Sequence, residues 1–137
     1  MKLWRSSILF LSIGLGFGVY YREISKIFDF SGDTVLTSLH VHALVLGTLV
    51  SLIILLFDGV YHVTQVKNFN RTWFIYSFGV YALLVMNTLR GTIEVMQLEL
   101  SRALDMSIAG IAGLAHMTLG LGFVLLLLAI KKSLPNT

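Results

Sequence analysis

Apolar residues run almost unbroken through four stretches of the chain, at about 3–21, 35–57, 73–95 and 108–130, and polar residues gather in the short segments between them. A hydrocarbon core roughly 30 Å thick is crossed by about 20 residues of α-helix, so each stretch is long enough to span it. The pattern predicts an all-α protein, a four-helix transmembrane bundle occupying 1–137 as one domain. The first connection holds Arg22, Glu23, Lys26, Asp29 and Asp33 around Ser31-Gly32-Asp33, which is turn chemistry. Asp33 or Thr34 is expected to cap the second helix. The last connection holds Glu99, Arg102 and Asp105, with Asp105 expected near the N-cap of the fourth helix.

Composition agrees with a lipid solvent. Of 137 residues 56% are hydrophobic and 12% charged, and mean hydropathy is +0.85, far from the usual soluble domain. Four crossings leave no room for a separate soluble unit. The net charge of +3 comes from basic residues scattered at the ends of apolar stretches, so it implies membrane topology and not a nucleic-acid partner. With no cysteine, disulfides, thiolate metal sites and cysteine nucleophiles are excluded. The first stretch follows Lys2 and Arg5 as a signal peptide would. It lacks a small-x-small cleavage site and ends Val19-Tyr20-Tyr21-Arg22, so a retained helix is expected. Neither Met1-Lys2 nor Pro135-Asn136-Thr137 carries a lipidation signal.

Four crossings put Lys2, Arg5, Lys67, Arg71, Lys131 and Lys132 on one side, against Arg22, Lys26 and Arg102 on the other. The positive-inside rule then makes both termini cytoplasmic, in a multi-pass membrane protein. Trp4, Tyr20, Tyr21, Tyr61 and Trp73 fall where interfacial aromatic belts are expected.

Ionisable side chains inside a membrane span are costly and usually face a partner or a cavity. The second helix carries His40 and His42, the fourth carries His116, and the third carries Arg90. A neutral imidazole that merely hydrogen-bonds a neighbouring helix is the bland explanation of any one of these histidines. His42 and His116 lie about two turns into helices of the same direction, which points to a shared depth and to two halves related as parallel repeats. Imidazoles from two helices at one depth are the arrangement that holds haem b, because iron accepts a neutral ring nitrogen from each face. The macrocycle needs close backbone, and Gly113 and Gly120 lie on the face of His116.

Two criteria compete for the partner of His116. Depth favours His42, whereas the small-residue face, with Ala43 and Gly47, belongs to His40. All three histidines are therefore candidate iron ligands. Arg90 is placed to meet a propionate, or alternatively to pair with Glu94 one turn on. Plain helix packing also explains glycine: Gly14 with Gly18, and Ala109, Gly110 and Gly113. His62 reads as interfacial. No phosphate loop, Ser-His-Asp pattern or His-Glu-x-x-His zinc pair occurs.

Leu39-His40-Val41-His42-Ala43-Leu44-Val45-Leu46-Gly47 and Gly113-Leu114-Ala115-His116-Met117-Thr118-Leu119-Gly120-Leu121-Gly122 resemble a family of small bacterial four-helix membrane proteins of unknown function, over nearly the whole chain. The His-x-His-x-x-x-x-Gly stretch is also similar to helices of the haem-copper oxidase catalytic subunit superfamily, in which membrane histidines bind haem. That similarity implies haem ligation by His40, His42 and His116. The chain lacks the further histidines of a copper centre and second haem, so oxygen reduction is not implied. The expectation is a haem-b protein serving electron transfer, haem handling or gas sensing, with the bilayer and further copies of itself as partners. The rivals are a cofactor-free proton or anion transporter or channel subunit, with His116 and Arg90 lining the path, and a scaffold within a larger membrane complex.

Overall fold

A computed structural model describes residues 2–135, so Asn136 and Thr137, read above for lipidation, lie outside the described residues, as does Met1. The described chain is all-helical, with four helices long and apolar enough to cross a membrane: α1 (Lys2–Ile27), α2 (Leu36–Tyr61), α3 (Phe69–Val95) and α4 (Arg102–Ser133). A short 3-10 turn, Val63–Gln65, lies between α2 and α3.

The helices are longer than the apolar stretches that announce them. α1 continues to Ile27 because its last turns remain one-sided: Ile24 is buried, while Arg22 and Glu23 pair with each other at 3.4 Å in solvent. α4 begins at Arg102, earlier than its apolar run. Its cap is Ser101, whose Oγ accepts the Leu104 N–H at 3.4 Å, and Asp105 stands inside the first turn. A carboxylate there suits the positive end of the helix dipole. At about 1.5 Å per residue the 32 residues of α4 exceed the thickness of the hydrocarbon.

At the start of α2 the Thr34 hydroxyl accepts the Leu36 N–H and donates to the Gly91 carbonyl oxygen, both at 3.3 Å. The Val35 N–H donates to Glu94 Oε2 at 2.9 Å, so a carboxylate from α3 closes the N-terminus of α2. At its other end α2 stops at His62, whose backbone is left-handed (φ 51°) and whose N–H returns to the Asp58 carbonyl at 3.0 Å. Such a residue ends a helix cleanly.

α1 packs along α2, α2 along α3, and α3 along α4, with a lighter meeting of α1 and α3. Phe10, Leu39, Ala43, Val80, Leu83 and Leu84 form the centre of the buried core. The closest approach is between α3 and α4. A Cβ at Gly79 would lie 2.6 Å from Leu119 Cα, and one at Gly122 would lie 2.5 Å from Tyr76 Cα. The glycines expected to pack helices behave differently. Gly14 meets Leu44 of α2, but a Cβ at Gly18, Gly110 or Gly113 would meet nothing within 4 Å.

α2 is not a uniform helix. Ala43–Leu49 is π-helical, between α-helical Leu36–His42 and Val50–Tyr61. Wide turns loosen the carbonyl ladder, and here two of its carbonyls have side-chain donors: the Tyr76 hydroxyl donates to Leu46 at 2.7 Å, and Ser51 Oγ donates to Gly47 at 2.6 Å. Phe10 lies against Gly47 where any side chain would be, and stacks on Tyr81 with ring centroids 4.8 Å apart. α4 has no such segment, so the two helical hairpins are not equal copies.

Candidate haem site

His42 and His116 hold the same local geometry. Each sits mid-helix with Nδ1 against the carbonyl oxygen four residues earlier, Ser38 at 2.7 Å and Ala112 at 2.9 Å. A carbonyl only accepts, so Nδ1 must carry the proton, and in the neutral ring Nε2 is then the free lone pair. Metal-binding histidines are commonly prepared in this way, the distal nitrogen fixed by a backbone carbonyl. His40 differs. It lies one turn before Ala43 and Leu44, the residues that meet Gly14, and so faces α1; its Nδ1 is buried without a hydrogen-bond partner.

Depth can be read through α3. Leu36 of α2 abuts Gly91, and Leu119 of α4 abuts Gly79. Stepping along the antiparallel helices from these contacts puts His42 level with about Val85 and with about Gly113, within about one helical turn of His116. His40, two residues earlier, is about half a turn farther off.

The two helices nevertheless do not pack along each other; α3 stands between their contacts. His116 is exposed on α4, and the five principal cavities are lined by none of His40, His42 and His116. Gly113 and Gly120 are on the open side of α4, away from the stripe of Ala115, Leu119, Gly122, Leu126 and Ala129 that meets α3. Only 17% of the apolar window of α4 is buried within the protein. Gly47, in contrast, is enclosed under Phe10 and offers no groove beside the histidines. Among the described residues no three His, Asp or Glu side chains converge as a metal cluster.

Arg90 is committed within the protein. Its Nε donates to Glu94 Oε1 at 3.1 Å and its Nη1 pairs with Asp105 Oδ1. Because Glu94 also closes the start of α2, one guanidinium links three helices, and the Tyr20 hydroxyl bonds Thr92 Oγ1 at 2.7 Å to bring in α1. Pairing with Glu94 was legible from the i, i+4 spacing; Asp105 was not, because it depends on how α4 approaches α3. The groups are partly exposed, with 40% of the Arg90 side chain accessible, which limits the worth of each pair. Arg90→Ala should cost on the order of 1 kcal/mol and lower the melting temperature in detergent by a few degrees. Asp105→Ala should cost a similar amount, and the double variant clearly less than the sum of the two.

Tyr76 and Ser51, whose hydroxyls serve the π-helical turns, have little signature in the sequence, where Ser51 four residues after Gly47 is the one local signal. No curated protein and no solved structure matches the chain. A family model matches residues 1–133: the chain belongs to the family described as "Protein of unknown function (DUF2871)".

Proposed function

We propose that this protein binds haem b in the membrane, where His116 on the outer face of α4 would hold the iron. The observation that carries the reading is the matched state of His42 and His116, each with its Nδ1 proton held by a backbone carbonyl and Nε2 left free at similar depth. The open backbone at Gly113 and Gly120 leaves space for a flat macrocycle beside His116. Since α2 and α4 of one chain do not adjoin, a second histidine would have to come from another copy to hold the haem, and His42 is the residue prepared for it. A sphere closed by two imidazoles suits electron transfer, whereas a single imidazole leaves a position for a gas. The basic ends of the helices support cytoplasmic termini in a bacterial plasma membrane.

The proton- or anion-path reading has less support, because Arg90 is already neutralised by Glu94 and Asp105. The test is the absorption spectrum of protein purified in mild detergent with haem supplied during expression. A sharp Soret band with split visible bands on reduction is the expected result for two imidazole ligands. A colourless preparation defeats the proposal.

A further inference from the structure

We propose that the pocket at the basic end of the bundle binds the headgroup of an anionic phospholipid, with Lys2 on the phosphate and Asp58 accepting from a headgroup hydroxyl. The pocket measures about 240 Å³ and is enclosed by the start of α1, the end of α2, the 3-10 turn and the start of α3. Its walls are of two kinds. Leu55, Phe69 and Trp73 supply apolar surface, the two aromatic rings stacked with centroids 6.5 Å apart, while Lys2, Asp58 and Asn70 supply polar groups. An aromatic and aliphatic wall beside a polar one matches the junction between a phospholipid's acyl chains and its headgroup, and the helix ends place the pocket at that level of the membrane.

Charge selects the ligand class. Six of the ten Lys and Arg residues are at this end, with Asp58 the only Asp or Glu beside them, while the other six acidic residues lie at the opposite end. The ion pairs of the described residues involve Arg22 and Arg90, both at that opposite end, so among the described residues the cations here pair with no carboxylate. A pocket set in this surplus of positive charge draws phosphate, as basic pockets between membrane helices do. Asp58 would repel a bare phosphate, but its Oδ1 is occupied by the Thr64 N–H at 2.7 Å. Its second oxygen suits a donor, which a glycerol headgroup provides and a choline does not.

Trp73 is a reporter built into the wall. In a Trp4→Phe background it is the only tryptophan, and brominated acyl chains will quench it when a lipid occupies the pocket. In phosphatidylcholine vesicles, brominated phosphatidylglycerol should quench Trp73 with an apparent affinity about fivefold or more above brominated phosphatidylcholine. Lys2→Gln should remove about fivefold of that preference, while Lys132→Gln, a cation at the same end outside the pocket, should leave it nearly intact. Equal quenching by the two lipids, or equal loss in the two variants, overturns the assignment. So does phosphatidylethanolamine binding as tightly as phosphatidylglycerol, since Lys2 and Asp58 would then be reading a zwitterion. Release of the quenching by millimolar inorganic phosphate makes a soluble phosphate compound the ligand and overturns the lipid assignment.

Discussion

Replacing Gly122 with leucine is expected to detach α4 from α3 and abolish the monodisperse protein peak in detergent. The contact at Gly122 is with backbone: a Cβ there would lie 2.5 Å from Tyr76 Cα and 2.8 Å from Tyr76 N, about 1 Å inside ordinary carbon contact. No rotamer of a neighbour can relieve it, so the helices must separate. That separation also opens the Gly79–Leu119 contact and the packing of Tyr76 against Phe123, whose ring centroids are 5.8 Å apart. Displaced, Tyr76 would lose its bond to the Leu46 carbonyl in the π-helical turns of α2. In lipid no hydrophobic force compensates, because helix association there depends on close packing itself. The cost should be on the order of 3 kcal/mol or more, at or beyond the upper range of ordinary overpacking. Gly122→Ala introduces the same Cβ but nothing beyond it, so a smaller separation of the helices relieves the contact, and it should retain a folded peak at a lower melting temperature. Gly113→Leu, on the open side of the same helix, should fold like the parent, and size-exclusion profiles of the three variants compare these outcomes directly.

The contrast between Gly122 and Gly113 also shows why some of the structure could be read from the sequence and some could not. Span number and approximate position follow from the thickness of the hydrocarbon, which imposes the same demand on any chain. Which face of a span meets a neighbour does not follow, since lipid-facing residues are as apolar as packed ones and the usual amphipathic stripe is lost. Gly14 and Gly18 therefore looked equivalent, although Gly14 meets Leu44 and Gly18 meets nothing. The helix ends were misplaced for a related reason: hydropathy falls at Arg22 and before Ile108, but the backbone continues helical through the interface. The π-helical turns had almost no local signature, because they depend on Tyr76 from another helix.

For the histidines, rise per residue made their depth legible, and the packed helices preserve it to within about a turn. The placement of α3 between the contacts of α2 and α4 was beyond reach, as it is set by the glycine contact of α3 with α4 and by the Arg90 cluster.

On the haem proposal, His116→Ala should reduce bound haem by at least tenfold while leaving the protein folded, because the ring is exposed and its one hydrogen bond is to its own helix. A protein-normalised pyridine haemochrome assay measures the loss, and a melting curve within about 2 °C of the parent excludes misfolding as its cause. Gly113→Leu provides the sharper comparison. It leaves every ligand nitrogen in place and touches nothing in the packed protein, yet it puts a branched side chain on the open backbone where the macrocycle would lie. Haem loss in both variants, with the fold kept in both, is the pattern expected of a cofactor seated on the outer face of α4. His42→Ala should then convert a spectrum of two imidazoles into that of one, since on this proposal the second ligand is His42 of another copy. His40→Ala should change neither the spectrum nor the haem content, as its ring faces α1. If haem content is unchanged in His42→Ala and His116→Ala alike, these imidazoles do not bind iron, and the cofactor must be sought elsewhere in the chain or abandoned.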